Sequence, residues 1–257
     1  MFYSRRNILK IRDFWFVDGR DINDEKKVDF VQYHDLLKPL ANKKNIIEEK
    51  KSKTIINDLT SEMESIVDNF KKNTKYEIRR AEKDGCTCEF LWSNDLQKNN
   101  SILKTIDLEH KKMFKQKGHA YKSEFNNMNS AVKANMLCVS IAYLPDKTAC
   151  AYHVYIVGNS TARLLHSISV FRSVDASAEK AAIGRANRFL HFKDMDILKK
   201  NGFARYDWGG YSETKDQISI SEFKASFGGQ IIDTYRYIFA TSYLGKSLAK
   251  IVKLRIK

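Results

Sequence analysis

Three apolar runs with strand-like composition follow one another closely in the middle of the chain, separated only by short turn segments. The separating segments are Pro145–Lys147 and Gly158–Ser160, whose Pro, Asp, Gly and Asn residues favour tight turns. Consecutive strands joined by such turns form hairpins. The pattern therefore predicts an antiparallel meander with strands at Met136–Tyr143, Thr148–Val157 and Ala162–Val170.

A long helix from about Glu179 to Asn201 is predicted directly after the meander, and Gly202 supplies a typical helix end. The remaining C-terminal elements are a strand at Ala204–Trp208, a short helix near Gln217–Ser226, a strand at Gln230–Ala240 and a basic helix at Tyr243–Lys257.

Helices and strands also alternate in the first half of the chain. Ser61 and Glu64 have the spacing of a capping box at a helix start, and Gly85 ends the basic stretch that follows. The lysine-rich stretch Ala41–Lys53 is interpreted as a loop or hairpin tip. Further predicted elements are strands at Ile11–Val17, Val28–Tyr33 and Cys86–Trp92, and helices at Asn94–Gln116 and Ser123–Asn135. This order predicts an α+β fold with a mixed, mostly antiparallel central sheet flanked by helices.

The composition narrows the class of protein and of partner. The chain has 257 residues, with 45 Lys and Arg against 31 Asp and Glu, and a net charge of +14. A hydrophobic fraction of 43% is enough for a core and excludes a disordered chain. The positive charge favours an anionic partner: a nucleotide, a coenzyme phosphate, a nucleic acid or a membrane face.

The sequence lacks the marks of export and of membrane insertion. The basic N-terminus is not followed by the apolar core of a signal peptide, and no run approaches the roughly 18 apolar residues of a spanning helix. Cys86, Cys88, Cys138 and Cys150 are too few for a disulfide framework, and no Cys/His pair has zinc spacing. We therefore expect a reduced, cytoplasmic, metal-free protein with no stable membrane insertion.

Three segments in the C-terminal half have features of a ligand site. The block Ile183–Asn187 places Gly184 near the start of the long helix, which suits either a bound phosphate or an ordinary amphipathic helix. Asp207 ends a strand before two glycines and is either a substrate-facing carboxylate or a turn cap. Lys224 lies beside two phenylalanines one helical turn apart, and either holds a phosphate or carbonyl or is solvated.

Taken together in order and spacing, these segments resemble the C-terminal acyltransferase domain of the Fem-like branch of the GNAT superfamily. The resembling blocks are Ile183–His191, Asn201–Gly210 and Phe223–Gly229, and Tyr76–Gly85 is similar to a basic helix of that branch. The resemblance covers the chain from about Thr60 to Ala240 and implies a GNAT-like acyltransferase fold. It suggests a reduced N-terminal subdomain at 1–58, an acyltransferase domain at 59–242 and a basic C-terminal helix at 243–257.

Two activities within this branch are compatible with the resemblance. Short Fem-like proteins are similar to sugar N-acyltransferases, which acylate a nucleotide-linked (dTDP- or UDP-) amino deoxysugar for surface polysaccharide. Classical Fem enzymes are longer and use aminoacyl-tRNA to build peptidoglycan bridges. The length of 257 residues favours the sugar enzyme, with acyl-CoA or an acyl-carrier protein as donor, and a homodimer is expected.

The resemblance also implies roles for particular residues. In GNAT-like folds the acyl chain lies where two neighbouring strands separate, and here the strand at Ala162–Val170 should border that gap. His166 is the first candidate for the base that accepts the amine proton, followed by Asp207 and then His153, while Tyr211 is placed to protonate a leaving thiolate.

The resemblance also implies that basic side chains and backbone amides bind the donor and the acceptor substrates. The donor is assigned to Ile183, Gly184, Arg185, Ala186, Asn187 and Lys224. The acceptor is assigned to Arg79, Lys83, His153 and Arg172. One position departs from the GNAT phosphate loop: Ala181 stands where that loop has Arg or Gln. A basic nucleic-acid-binding module without catalysis is the remaining alternative, and the three acyltransferase-like blocks argue against it.

Overall fold

The computed structural model describes residues 1–6, 9–17, 28–41 and 46–255. Backbone proximity divides the chain into two compact units: unit 1, Met1–Thr54 with Ile231–Lys257, and unit 2, Ile55–Gln230. Unit 1 includes the last strand, which was predicted within the acyltransferase domain, and the terminal helix, which was predicted as a separate element.

The described chain forms ten strands and eight α-helices. The strands are β1 (Phe2–Arg6), β2 (Leu9–Trp15), β3 (Phe30–Leu36), β4 (Ile46–Asp58), β5 (Thr87–Trp92), β6 (Leu137–Tyr143), β7 (Ala149–Gly158), β8 (Thr161–Ser169), β9 (Arg205–Asp207) and β10 (Gln230–Ala240). The helices are α1 (Met63–Asp68), α2 (Lys72–Lys83), α3 (Ser93–Lys98), α4 (Ser101–Gln116), α5 (Phe125–Lys133), α6 (Ser177–Lys200), α7 (Ile218–Ala225) and α8 (Tyr243–Arg255).

Unit 1 is a sheet with the strand order β1-β2-β3-β10-β4. β2 and β3 run parallel, whereas β1 with β2 and β10 with β3 are antiparallel. Its apolar core is centred on Val31, Tyr33, Tyr237 and Phe239. The predicted loop at Ala41–Lys53 is wrong from Ile46 onward, where β4 begins, and residues 42–45 lie outside the described chain.

Unit 2 has the strand order β4-β9-β8-β7-β6-β5. The predicted meander is confirmed: β6, β7 and β8 pair antiparallel in succession. β9 then runs parallel to β8 and antiparallel to β4. The core of this unit packs α2 and α6 against one face of the sheet through residues such as Ala81, Ile183, Phe189 and Leu190. The unit is therefore mixed and mostly antiparallel, as predicted.

Two details of the helices differ from the prediction. The expected capping box at Ser61 is wrong, because α1 begins after Glu62 without a side-chain cap. The helix expected over Asn94–Gln116 is two helices, since Asn99 adopts an extended conformation (φ −142°, ψ 103°) and ends α3 before α4 begins. Among the described residues, no helix is long and apolar enough to cross a membrane.

Candidate active site at the separation of two strands

The strands β8 and β9 pair over only three residues, and beyond them β8 continues without a ladder partner among the described residues on that side. The parallel ladder ends where Arg163 pairs with Asp207, while β8 continues to Ser169. After Asp207 the chain turns through Gly209, which has a φ of 63°. A Cβ at this glycine would lie 2.7 Å from the carbonyl oxygen of Leu164, so only glycine fits without a shift. We call this region, between Leu164–Ser169 and Gly209–Tyr211, the cleft.

The carboxylate of Asp207 is held by bonds at both oxygens. Arg163 donates to Oδ2 from Nη1 at 2.8 Å, and the backbone N–H of Gly209 donates to Oδ1 at 2.8 Å. The side chain is 2% exposed. Asp207 thus caps the turn after β9, as the turn-cap alternative predicts, and pairs with Arg163.

Lys224, on α7, lies against the same turn. Its Nζ donates to the carbonyl oxygens of Gly209 at 2.5 Å and Gly210 at 2.8 Å. Burial, with a further contribution from Arg163, lowers the pKa of Lys224 to about 8, and Asp207 partly opposes that shift. The structure therefore brings together two residues that the sequence singled out separately, Asp207 and Lys224.

His166 lies on the stretch of β8 that extends beyond β9, on the face of the sheet covered by α4. Its ring centroid is 4.5 Å from that of His110, a buried residue of α4. Burial lowers the pKa of both imidazoles to about 4, and the proximity of His166 contributes to the shift of His110. Neither ring has a hydrogen-bond partner within the described part of the chain. Both are therefore neutral near pH 7.

The surroundings of this histidine pair were not singled out from the sequence. Tyr121 packs edge-on against His110, and its hydroxyl donates to Asp107 Oδ1 at 2.6 Å. Ser123 donates to the other carboxylate oxygen at 2.8 Å. These residues lie in and just after a helix whose periodicity indicates only packing, so the sequence carried no signal for them.

On the opposite face of the sheet, a set of polar side chains is enclosed in the core. Asp194 Oδ2 accepts a hydrogen bond from the Tyr155 hydroxyl and lies 2.7 Å from Nδ1 of His153. The Tyr206 hydroxyl lies 2.7 Å from both the Tyr155 hydroxyl and Nδ1 of His191. All five side chains are at most 1% exposed. We call these five residues the buried network.

Three members of the buried network, His153, His191 and Asp194, form the one group of candidate metal ligands among the described residues. The two imidazoles stack with centroids 3.9 Å apart and planes 26° apart, so their in-plane lone pairs do not converge on one point. Oδ2 of Asp194 is used by Tyr155 and His153, whereas Oδ1 of Asp194 and Nε2 of His191 are buried without a partner in the described structure. The geometry fits a hydrogen-bonded network better than a metal centre.

The block predicted to bind the donor lies inside α6, which begins six residues earlier at Ser177. The backbone amides of Gly184 and its neighbours are therefore bonded within the helix, and the amides free at its start are those of Ser177–Glu179. Ile183 and Ala186 are core residues. Arg185 pairs with Asp84 of α2 at 3.4 Å, and Asn187 Oδ1 lies 3.0 Å from His153 Nε2.

The remaining predicted residues are dispersed. His153 is fully buried and faces away from solvent. Tyr211 follows the glycine turn, and its hydroxyl donates to Glu213 at 3.4 Å. Arg172 is exposed in a short 3-10 helix after β8, and Arg79 and Lys83 are exposed on α2. The turn after β9 therefore brings Asp207 and Lys224 together, with Tyr211 just beyond its glycines. His166 lies on the α4 face of β8, and the other predicted residues lie elsewhere.

Comparison with known proteins shows similarity at the level of structure only. No protein-family model and no curated protein matches the sequence. The solved structure of FemX matches with a TM-score of 0.61 and 11% identity, over 88% of this chain and 75% of that chain. L-PGS from Bacillus licheniformis matches with a TM-score of 0.51 and 10% identity, over 88% of this chain and 73% of that one.

A third match is the C-terminal domain of a protein assigned as a lysylphosphatidylglycerol synthetase from Agrobacterium fabrum, with a TM-score of 0.53 and 15% identity. It covers 86% of this chain and 70% of that one. The predicted fold, a mixed and mostly antiparallel sheet flanked by helices, is confirmed by the strand order and is shared with these neighbours. At such identities the similarity establishes the fold and not the substrate.

Proposed function

We propose that this protein is an aminoacyltransferase of the Fem type, which moves an aminoacyl group from aminoacyl-tRNA to the amino group of a cell-wall precursor. The observation that carries the proposal is the fold shared with FemX over 88% of the chain, with a cleft between β8 and β9 that contains Lys224 and Asp207. The sequence favours the sugar enzyme over this activity, and the extent of the structural match to FemX reverses that order.

The chemistry needs few groups. The acceptor amine forms a C–N bond with the ester carbonyl carbon, the ester C–O bond breaks, and the ribose hydroxyl of the tRNA leaves with the proton that the amine loses. An ammonium has three N–H bonds, and Lys224 uses two for the carbonyls of Gly209 and Gly210. The third is suited to the carbonyl oxygen, where negative charge develops.

His166 is the preferred candidate for the group that accepts the amine proton. It lies on the part of β8 that borders the cleft and is neutral near pH 7, because burial holds its pKa at about 4. Asp207 is the second candidate, since both of its oxygens are engaged by Arg163 and Gly209. Tyr211 keeps its proposed role as a proton donor to the leaving group.

One observation favours a second candidate function, the acylation of a nucleotide-linked amino sugar from acyl-CoA. The free amides at Ser177–Glu179 begin a helix of 24 residues shortly after β8 ends, and such helix starts favour phosphate. The diphosphate of a coenzyme would then lie near the cleft, and Lys180 adds a positive charge to this region. The homodimer and the cytoplasmic location remain predictions under either function.

Mass spectrometry distinguishes the two functions. The protein is incubated with charged total tRNA and a nucleotide-linked peptidoglycan precursor, and separately with several acyl-CoAs and nucleotide-linked amino sugars. A mass gain of one amino-acid residue in the first mixture only is the expected result. A gain in the second mixture only would replace the proposal by the sugar acyltransferase, and no gain in either would reject both.

A further inference from the structure

One face of α2 carries three cations that no acidic side chain neutralises in the described structure. Lys72, Tyr76, Arg79 and Lys83 follow one another at steps of four, three and four residues, so they form one line along the helix. All four are exposed, and Tyr76 is 59% exposed despite its large ring. We call these four residues the α2 stripe.

The acidic residues around α2 are engaged by cations that do not belong to the stripe. Glu82 pairs with Lys193 at 3.0 Å. Asp84 pairs with Arg80 at 2.8 Å and with Arg185 at 3.4 Å. Asp68 lies 3.5 Å from Lys75.

The fourth acid of this region, Glu77, acts electrostatically on Arg188 of α6. The four acidic side chains thus interact with cations outside the stripe. The positive charge of the α2 stripe is not compensated by any of them.

The stripe begins beside the helix that carries Lys224. The backbone N–H of Lys71 donates to the carbonyl of Ser226 at 2.8 Å, and the Thr74 hydroxyl donates to the Ser226 hydroxyl at 2.9 Å. Ser226 directly follows α7, two residues after Lys224. A ligand along the stripe therefore approaches the cleft from the α7 side.

We propose that the α2 stripe binds the sugar–phosphate backbone of tRNA near its acceptor end, with Tyr76 stacked on a base or ribose. The inference rests on the proposed aminoacyl-tRNA-dependent function and names the surface that would hold that donor. The eleven steps from Lys72 to Lys83 span about 16 Å of helix, enough to follow several phosphates. An aromatic ring with cations about one turn away on either side combines stacking with phosphate contacts, as single-stranded nucleic acid requires.

Charge and shape favour RNA over a lipid surface. A helix that binds a membrane in its interface buries a broad apolar face, whereas the α2 stripe has a single aromatic ring among its cations. The inner face of α2 does contain apolar residues, Ile78 and Ala81, but they are buried in the core of unit 2.

The chain provides a matched control on α4. Lys104, Leu108, Lys111 and Lys115 have the same spacing, are all exposed, and have leucine where the α2 stripe has tyrosine. Neutralising three cations on either helix changes the net charge equally. Any difference between the two variants therefore reports the surface and not the overall charge.

Binding of fluorescently labelled, uncharged total tRNA is measured by anisotropy over a salt series. The triple variant Lys72→Gln/Arg79→Gln/Lys83→Gln should weaken binding and lower the slope of log K against log salt by about 3. The variant Tyr76→Ala should weaken binding about tenfold at fixed salt. The control Lys104→Gln/Lys111→Gln/Lys115→Gln should bind within about twofold of the wild type, and thermal unfolding checks that all variants fold.

Equal losses from both triple variants would overturn the proposal, because general charge would explain them. The proposal would also be overturned if the α2 triple variant lost binding to anionic lipid vesicles and kept its binding to tRNA. That result would assign the stripe to a membrane surface. The proposed function is tested independently of the stripe. If the wild type binds tRNA through the stripe but shows no aminoacyl transfer, only the proposed function is rejected. If transfer proceeds equally well in the α2 triple variant at limiting aminoacyl-tRNA, only the stripe fails.

Discussion

His153 and His166 occupy neighbouring strands, one register position apart, yet they belong to different environments. His153 pairs with Ser167 and faces α6, where Asp194 and Asn187 contact both of its ring nitrogens. His166 pairs with Val154 and faces α4, where it packs against another imidazole without a hydrogen bond to any described residue.

The two rings differ in hydrogen bonding: His153 uses both of its nitrogens, and His166 uses neither with a described residue. A buried polar group that is bonded on every side stabilises the fold and has no capacity left for a ligand. A polar group that makes no hydrogen bond within the protein can still bond to a ligand. The sequence could not distinguish the two histidines, because both lie in apolar strands with the same local pattern.

The largest effect is expected from breaking the buried network. Asp194→Ala removes the acceptor for the buried Tyr155 and His153 side chains, and should lower the free energy of unfolding by about 3–5 kcal/mol. The matched control is Asp196→Ala on the same helix, which loses only its pair with the exposed Lys200. That control should change stability by less than about 1 kcal/mol. Urea unfolding of both variants provides the measurement.

On the cleft side, the largest effect is expected on activity. Lys224→Met removes the proposed donor to the developing oxyanion and should lower kcat/KM about 100-fold or more. Lys215→Met, an exposed change on the segment before α7, is the control and should retain activity. Retention of wild-type activity in Lys224→Met would remove this side chain from the mechanism.

The histidine pair should make the fold sensitive to acid. Burial lowers the pKa of His110 and His166 to about 4, against 6.5 for an ordinary histidine. The unfolded chain therefore binds more protons than the folded one between these values, and stability is lost as pH falls from about 6.5 to 4.

The double variant His110→Gln/His166→Gln should flatten this part of the pH profile. Equilibrium unfolding measured along the pH series tests it. An unchanged slope in the double variant would show that other groups set the acid sensitivity.

The smallest expected effect is on turnover through His166. His166→Ala should lower turnover at least tenfold if this ring accepts the amine proton. His119→Ala, which changes an exposed histidine in the loop after α4, serves as the control. Turnover near the wild-type level in His166→Ala would assign the role of base to Asp207 or to solvent.

Local patterns predicted most of the fold of unit 2. The meander and the long helix follow from short turns and from a glycine stop, and these signals need no distant contact. β4 was missed because its first half is charged and exposed, from Glu48 to Lys51, so no alternating pattern appears. The break between α3 and α4 was missed because two asparagines interrupt an otherwise helical pattern.

The site was predicted less completely, for a physical reason. Asp207 and Lys224 were identified by glycine turns and by an aromatic pair, which are local features. The buried network joins residues from β7, α6 and β9, and His110 meets His166 only through the packing of α4 on β8. Such pairings depend on the tertiary arrangement and leave no trace in local spacing.

The position of the aminoacyl group in the cleft is the central claim, and photo-crosslinking tests it most directly. A tRNA with a photoreactive aminoacyl group, joined at its 3′ end through a stable amide, is bound and irradiated, and the crosslinked peptides are identified by mass spectrometry. The account predicts crosslinks on Leu164–Ser169 and Gly209–Tyr211, which border the cleft. Crosslinks confined to the strands of unit 1 or to the exposed face of α4 would contradict it.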